Sequence, residues 1–180
     1  MLRLFILTIS ILYSCFTLAK SNYQVDLIIF AYPQSSDRDN NPAITSPLLP
    51  IAKNAIILKS NSTQSYSLLP GSKSSLKDQY YLLNHKSTYR ILAHYSWIQP
   101  SNNKSRIALP NVNLNGWQMQ GTVCVRQSSY YHFDAHLQLS PPNHPESFFN
   151  VTQNQRLKGD EVYFLDHPQI GMLVKIHQLT

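Results

Sequence analysis

Cysteine is nearly absent: of 180 residues only Cys15 and Cys124 carry a thiol. The first lies in an amino-terminal segment that reads as an export signal, and its removal leaves Cys124 alone. That excludes an intramolecular disulfide, so burial must hold the fold together. Cys124 is expected to be a small strand residue, with only Arg126 near enough to activate its thiol. Acids are scarce as well, nine against fifteen Lys and Arg, which gives carboxylate chemistry few groups to draw on. No apolar run is long enough to span a bilayer: Leu4 to Phe16 is cut short by polar Lys20-Ser21-Asn22. There is no internal repeat.

The amino-terminal segment is expected to be cleaved. Arg3 supplies a positive start, Leu4 to Phe16 the apolar stretch and Thr17-Leu18-Ala19 a small-residue cleavage site, so residues 1–19 read as a signal peptide. Residues 20–180 then form a single domain. Leu12-Tyr13-Ser14-Cys15 offers a rival, lipoprotein-type site, but Tyr13 is bulky where a small residue is expected and apolar Phe16 follows the cysteine. Membrane attachment is expected only if Cys15 is lipidated. Losing Arg3 and no acid leaves the mature chain one unit below the full chain's net +6. A basic exported protein is drawn to anionic wall and headgroup surfaces, and nucleic acid is absent from that compartment.

Strand signals dominate the mature chain. Tyr23, Val25, Leu27 and Ile29 alternate on one face of Tyr23–Ala31, while Ile28 and Phe30 make the other face apolar, as in a strand covered on both sides. Residues 34–75 turn to Ser, Asn, Asp and Pro and read as a flexible insert, pinned by a short strand at Ala55–Leu58. Leu76, Tyr80 and Leu83, spaced i, i+4, i+7 behind Ser74-Ser75, predict about three turns of helix, with Tyr81 and Leu82 widening its apolar stripe. Tyr89–Ile98, Met119–Arg126 and Tyr131–Leu139 alternate with period two, which puts Tyr89, Tyr95, Trp97 and Tyr131 inward and leaves Tyr130 freer. Because the last two of these strands both bury odd-numbered residues, their loop around Gln127–Ser129 must hold an odd number of residues or a bulge. Phe148–Arg156 and Glu161–Leu165 read as strands joined by a hairpin turn in which Gly159 takes a positive φ, and Ile170–Leu179 closes the chain. The fold class is α+β or mainly β, an antiparallel sheet of hairpins with one or two helices packed on it.

Several groups invite chemical readings. His132, Asp134 and His136 lie two apart on one strand face, a metal-ligand spacing, yet a further ligand from a neighbouring strand is missing and a solvated polar face is the expectation. Asp166-His167-Pro168 has the composition of an acid-base pair, but it equally makes a rigid corner before the last strand. Glu161 paired with Asp134 or Asp166 would give the carboxylate couple of a glycan hydrolase, although no enzyme fingerprint surrounds them. Glu161 has Arg156 or Arg90 as alternative salt-bridge partners.

Two stretches carry a family likeness. Tyr89-Arg90-Ile91-Leu92-Ala93-His94-Tyr95-Ser96-Trp97-Ile98-Gln99-Pro100, and the Glu161 strand running through Asp166-His167-Pro168 to Ile170-Gly171-Met172-Leu173-Val174, resemble the CsiV family of bacterial peptidoglycan-binding proteins. Tyr23–Phe30 and Gly121–Leu139 look like that family's first strand and middle hairpin. The family's Arg-rich stretch before the glutamate is thinned here to Gln155-Arg156-Leu157-Lys158. The resemblance implies a non-catalytic periplasmic factor that binds peptidoglycan and supports wall synthesis or cell shape, with no metal or organic cofactor. Arg90, His94, Arg156, Asp166 and His167 are the expected contact residues. Two alternatives stand beside it: a wall-active hydrolase, and an adaptor for a membrane-bound cell-wall synthase or its activator.

Overall fold

The computed structural model describes residues 21–33, 54–60, 65–86, 88–142 and 146–179. The expected signal segment and the 34–53 part of the insert lie outside the described residues. In chain order the strands are β1 (Asn22–Ala31), β2 (Ile56–Ile57), β3 (Lys59–Ser60), β4 (Ser67–Leu68), β5 (Arg90–Pro100), β6 (Ile107–Ala108), β7 (Val112–Leu114), β8 (Trp117–Gln127), β9 (Tyr131–Ser140), β10 (Phe149–Leu157), β11 (Val162–Asp166) and β12 (Ile170–Leu179). A one-turn 3-10 helix at Gly71–Lys73 and the helix α1 (Lys77–Lys86) separate β4 from β5. The class is the α+β or mainly-β one expected, but the hairpins are shared between two sheets rather than one. The first sheet runs β11-β12-β1-β5-β4-β3 and the second β10-β9-β8-β6-β2, with β7 added on β8. All pairings between long strands are antiparallel; only β2 with β6 and β3 with β4 are parallel.

The two sheets bury their facing sides against each other. Tyr23, Val25, Leu27 and Ile29 of β1 meet Phe133, Ala135, Leu137 and Leu139 of β9 in one core, together with Trp97 and Val174, all fully or almost fully buried. Each such side chain contributes roughly 1.5–3 kcal/mol by leaving water, which holds the fold together with no disulfide among the described residues. The loop between β8 and β9 has three residues, Ser128-Ser129-Tyr130, and sets Gln127 opposite Tyr131 and Val125 opposite Phe133, the odd count that the shared face demands.

α1 covers part of the outer side of the first sheet, which explains the second apolar face of β1. Leu76, just ahead of the helix, and Leu83 pack on Ile28 and Phe30. Beneath the helix start lies Asp26, with no exposed surface; its Oδ2 accepts from Ser75 Oγ at 2.6 Å and its Oδ1 from Gln24 Nε2 at 3.0 Å. Tyr81 and Leu82 do not widen the packed stripe; they point to solvent, 58% and 49% exposed, because the sheet meets only the Leu76/Leu83 side. Tyr89, too, is not inward: it precedes β5 and is 41% exposed.

The turn after β10 also departs from expectation. β10 stays paired with β9 while β11 joins β12, so the chain crosses from the second sheet to the first instead of forming a hairpin. Asp160, not Gly159, takes the positive φ of 64°, held there by its N–H donating to Ile176 O at 2.8 Å. Burial of both Leu157 and Leu165 in the inter-sheet core rewards the crossing.

Candidate functional site

The first motif is mostly architecture. Trp97 is fully buried and donates from Nε1 to Gln99 Oε1 at 2.8 Å. Gln99 Nε2 in turn donates to the Tyr23 hydroxyl and, at 3.0 Å, to Val125 O, which also accepts from Tyr23 Oη at 2.9 Å and Asn103 Nδ2 at 3.1 Å. This network satisfies the polar atoms that the core encloses and ties β1, β5 and β8 together. Burial pushes the Tyr23 phenol far above its usual range, so it stays a neutral donor. Gly171 of the second motif is likewise structural: a Cβ there would overlap the Phe30 ring and crowd Phe164.

The five expected contact residues separate. Arg90 is exposed at the start of β5, opposite Ala31, and so lies on the side of the first sheet that elsewhere faces the core. His94 is opposite Ile28 on the other side of that sheet, half-buried beside α1 with its ring stacked on Tyr80 at 4.8 Å. Asp166 and His167 stay together at the β11–β12 corner. Asp166 Oδ1 accepts from Tyr32 Oη at 2.5 Å, and the His167 ring lies parallel to Phe149 at 6.0 Å. Around Asp166 the rings of Phe30, Tyr32, Tyr89 and Phe164 form a contiguous aromatic corner, with Phe164 55% exposed. Arg156 alone sits on the second sheet, its guanidinium carbon 5.2 Å from the centre of the Tyr130 ring.

His94 carries a pH consequence. Burial lowers its pKa below the ordinary histidine value of 6.5, with Asp26 pulling weakly the other way. The folded protein therefore holds it neutral while the unfolded chain takes up a proton, so stability falls as pH drops below about 6.5 and levels off once the folded form protonates too. His167, lowered by burial as well, acts with the same sign. Denaturant unfolding at pH 7 and pH 5 is expected to show this loss, and His94→Asn to reduce it; an identical loss in the variant would refute the assignment.

The exposed side of the second sheet collects cations. In register across three neighbouring strands stand Arg126 on β8, His132 on β9 and Arg156 on β10. The two guanidinium groups stand on either side of His132, two strands apart, and gain no attraction from one another. The acid in the next row, Asp134, is already engaged: Arg106 Nη2 reaches one oxygen at 3.0 Å and His136 Nε2 the other at 2.9 Å. Among the described residues neither Arg126 nor His132 has a side-chain hydrogen bond or ion pair. Beside them opens a cleft of about 550 Å³, lined also by Asn102, Lys104 and Ser128. Further along the same face Gln120 donates to Gln138 at 3.0 Å and Gln138 to Asn150 at 3.2 Å, a ladder of amides.

Sequence reasoning did not place Arg126 or Lys104 among the contact residues, and weighed His132 as part of a solvated polar face or a metal ligand. The Arg126–His132 pairing was not fixed by parity alone: a three-residue loop at 127–129 would set Arg126 opposite Tyr130, and the observed loop at 128–130 sets it opposite His132. Arg106 occupies the position beside Asp134 and His136 that a metal would need, and among the described residues no three His, Cys, Asp or Glu groups converge. Glu161 bonds the Tyr163 hydroxyl at 2.7 Å and lies 4.0 Å from Lys158, not beside Arg156 or Arg90. Asp166 stands at the opposite end of β11, about 16 Å away at the rise of a strand, and Asp134 lies on the other sheet. Cys124 is buried, and burial raises its thiol pKa, which makes it unreactive.

These features define a two-layered, predominantly antiparallel β protein whose unpaired charge is displayed on a sheet face. Its family is given by the sequence match: the chain belongs to the CsiV family, described as "Peptidoglycan-binding protein, CsiV", which matches residues 2–179. No curated protein and no solved structure matches the chain.

Proposed function

We propose that this protein is a non-catalytic periplasmic factor that binds peptidoglycan in support of wall synthesis or cell-shape maintenance, and that the exposed side of the second sheet is its contact surface. The observation that carries this reading is the Arg126–His132–Arg156 row, without an acidic partner among the described residues, beside the Lys104 cleft. Among the described residues Arg126 has no side-chain hydrogen-bond or ion-pair partner and Arg156 meets only the Tyr130 ring, so both guanidinium groups can receive an anionic ligand, and the wall is rich in carboxylates. Family membership supports both the ligand and the cell-envelope location. Expected contacts from Arg90, His94 and the Asp166-His167 corner would then be secondary, since they lie on the other sheet. Dispersal of Glu161, Asp134 and Asp166 weighs against the hydrolase alternative, which needs two carboxyls within roughly 5–9.5 Å of each other.

Purified protein is expected to sediment with sacculi at low salt and to be released near 1 M NaCl, where the screening length is about 3 Å. Recovery in the supernatant at low salt would overturn the proposal. Release of soluble muropeptides would favour the hydrolase instead. The adaptor alternative draws support from a separate observation, the exposed aromatic corner of Tyr89 and Phe164 on the first sheet. Crosslinking to a wall synthase without sacculus binding would establish it.

A further inference from the structure

We propose that the cleft beside β8 and β9 receives the free carboxylate of an uncrosslinked stem peptide, gripped by Lys104, Arg126 and His132, with Arg156 as a second anchor. This assignment rests on the peptidoglycan reading above and names the part of the polymer that the site reads.

The lining supplies the chemistry. Lys104, Arg126 and His132 line the cleft together with Asn102 and Ser128, and no Asp or Glu lines it. Such a set attracts an anion with a hydrogen-bonding periphery. Neutral sugar hydroxyls would need the amides but not the charges. Size points the same way: about 550 Å³ lies within the 300–1,000 Å³ of small-ligand sites, so it admits a chain terminus of a few residues and not a folded partner. The guanidinium of Arg126 matches a planar carboxylate by two parallel bonds, where Lys104 acts as a point charge.

Register adds a second constraint. Arg126 and Arg156 are opposite the same residue, His132, and therefore stand two strand spacings apart, about 10 Å. An extended peptide covers that distance in about three residues. A stem peptide with both a terminal and a side-chain carboxylate thus presents its charges at the pitch of this row. Three donors spread along a flat face suit such a chain better than one compact phosphate, which calls for donors converging on a point. Each wall cross-link breaks the last peptide bond of the donor stem, releases the terminal residue with its carboxylate and joins the remaining carbonyl to a neighbouring stem's amine, so the site would favour unfinished over finished murein.

The test uses the intact protein with N-acetyl-γ-D-glutamyl-Nε-acetyl-L-lysyl-D-alanyl-D-alanine as the free acid, which carries a terminal and a second carboxylate, the same peptide as its carboxyl-terminal amide, and phosphatidylglycerol vesicles, each followed by calorimetry and by the NMR signals of Arg126 and His132. The free acid is expected to bind at least tenfold more tightly than the amide, and Arg126→Gln and His132→Gln, both on an exposed face, to weaken the acid while leaving the folded spectrum intact. Equal binding of acid and amide, or no binding of either while sacculi are still retained, would overturn this assignment and leave the peptidoglycan reading standing. Failure of the unsubstituted protein to be retained by sacculi as well would remove both. Vesicles that bind through Arg126 where the acid peptide does not would reassign the cleft to phosphate and equally overturn the proposal.

Discussion

Trp97→Ala is expected to destabilise the protein by about 4 kcal/mol, within the range measured when a buried aromatic ring is cut back in a packed core. Two losses add here. The largest of the fully buried side chains leaves a cavity between the sheets, and Gln99 Oε1 is left without the indole N–H that it accepts from. Domains of this kind have only about 5–15 kcal/mol of stability to lose, so a fall of that size would deplete the folded state at moderate denaturant. The urea midpoint measures it. A loss under about 1 kcal/mol would mean that the buried network around Val125 does not tie β1, β5 and β8 together as described.

Removing the charges of the second sheet should do the opposite. The double variant Arg126→Ala, Arg156→Ala is expected to lower affinity for sacculi by about a hundredfold or more, because a hydrogen bond to a charged group contributes roughly 1.5–3 kcal/mol and each 1.4 kcal/mol is a factor of ten. Stability should hardly change. Arg156 gives up its contact with the Tyr130 ring, worth about 0.5–1 kcal/mol at an exposed site, while His132 is freed from two cationic neighbours. Equilibrium sedimentation with sacculi and a urea titration of the same variant separate the two effects. Unchanged retention would show that the row is not the contact surface, and a large stability loss would show that it is structural after all.

The contrast between these two variants reflects how the family motif is used. Of the Tyr89–Pro100 stretch, Trp97 and Gln99 are enclosed and bonded into the core, whereas Tyr89 and Arg90 lie exposed at its start. Gly171 keeps the outer face of the first sheet level beneath Phe30 and Phe164. A motif of this kind marks the fold, and the anion-binding cleft proposed above includes Arg126 and Lys104, residues outside both motif stretches.

What could be read from the order of residues was local. Alternation over Tyr131–Leu139 revealed a strand with one wet face, the double-sided apolar pattern of Ile28 and Phe30 announced a strand covered on both sides, and the parity of two strands dictated an odd loop. Each depends only on the two-residue period of a strand and on neighbours in the chain. The division into two sheets, the crossing at Asp160 and the alignment of Arg156 with His132 did not follow from such periods. They depend on which strands pair across large sequence separations, and burial of Leu157, Leu165 and the rest of the inter-sheet core selects that pairing. Local spacing determines which way a side chain points; only the packed pair of sheets decides which other side chains stand beside it.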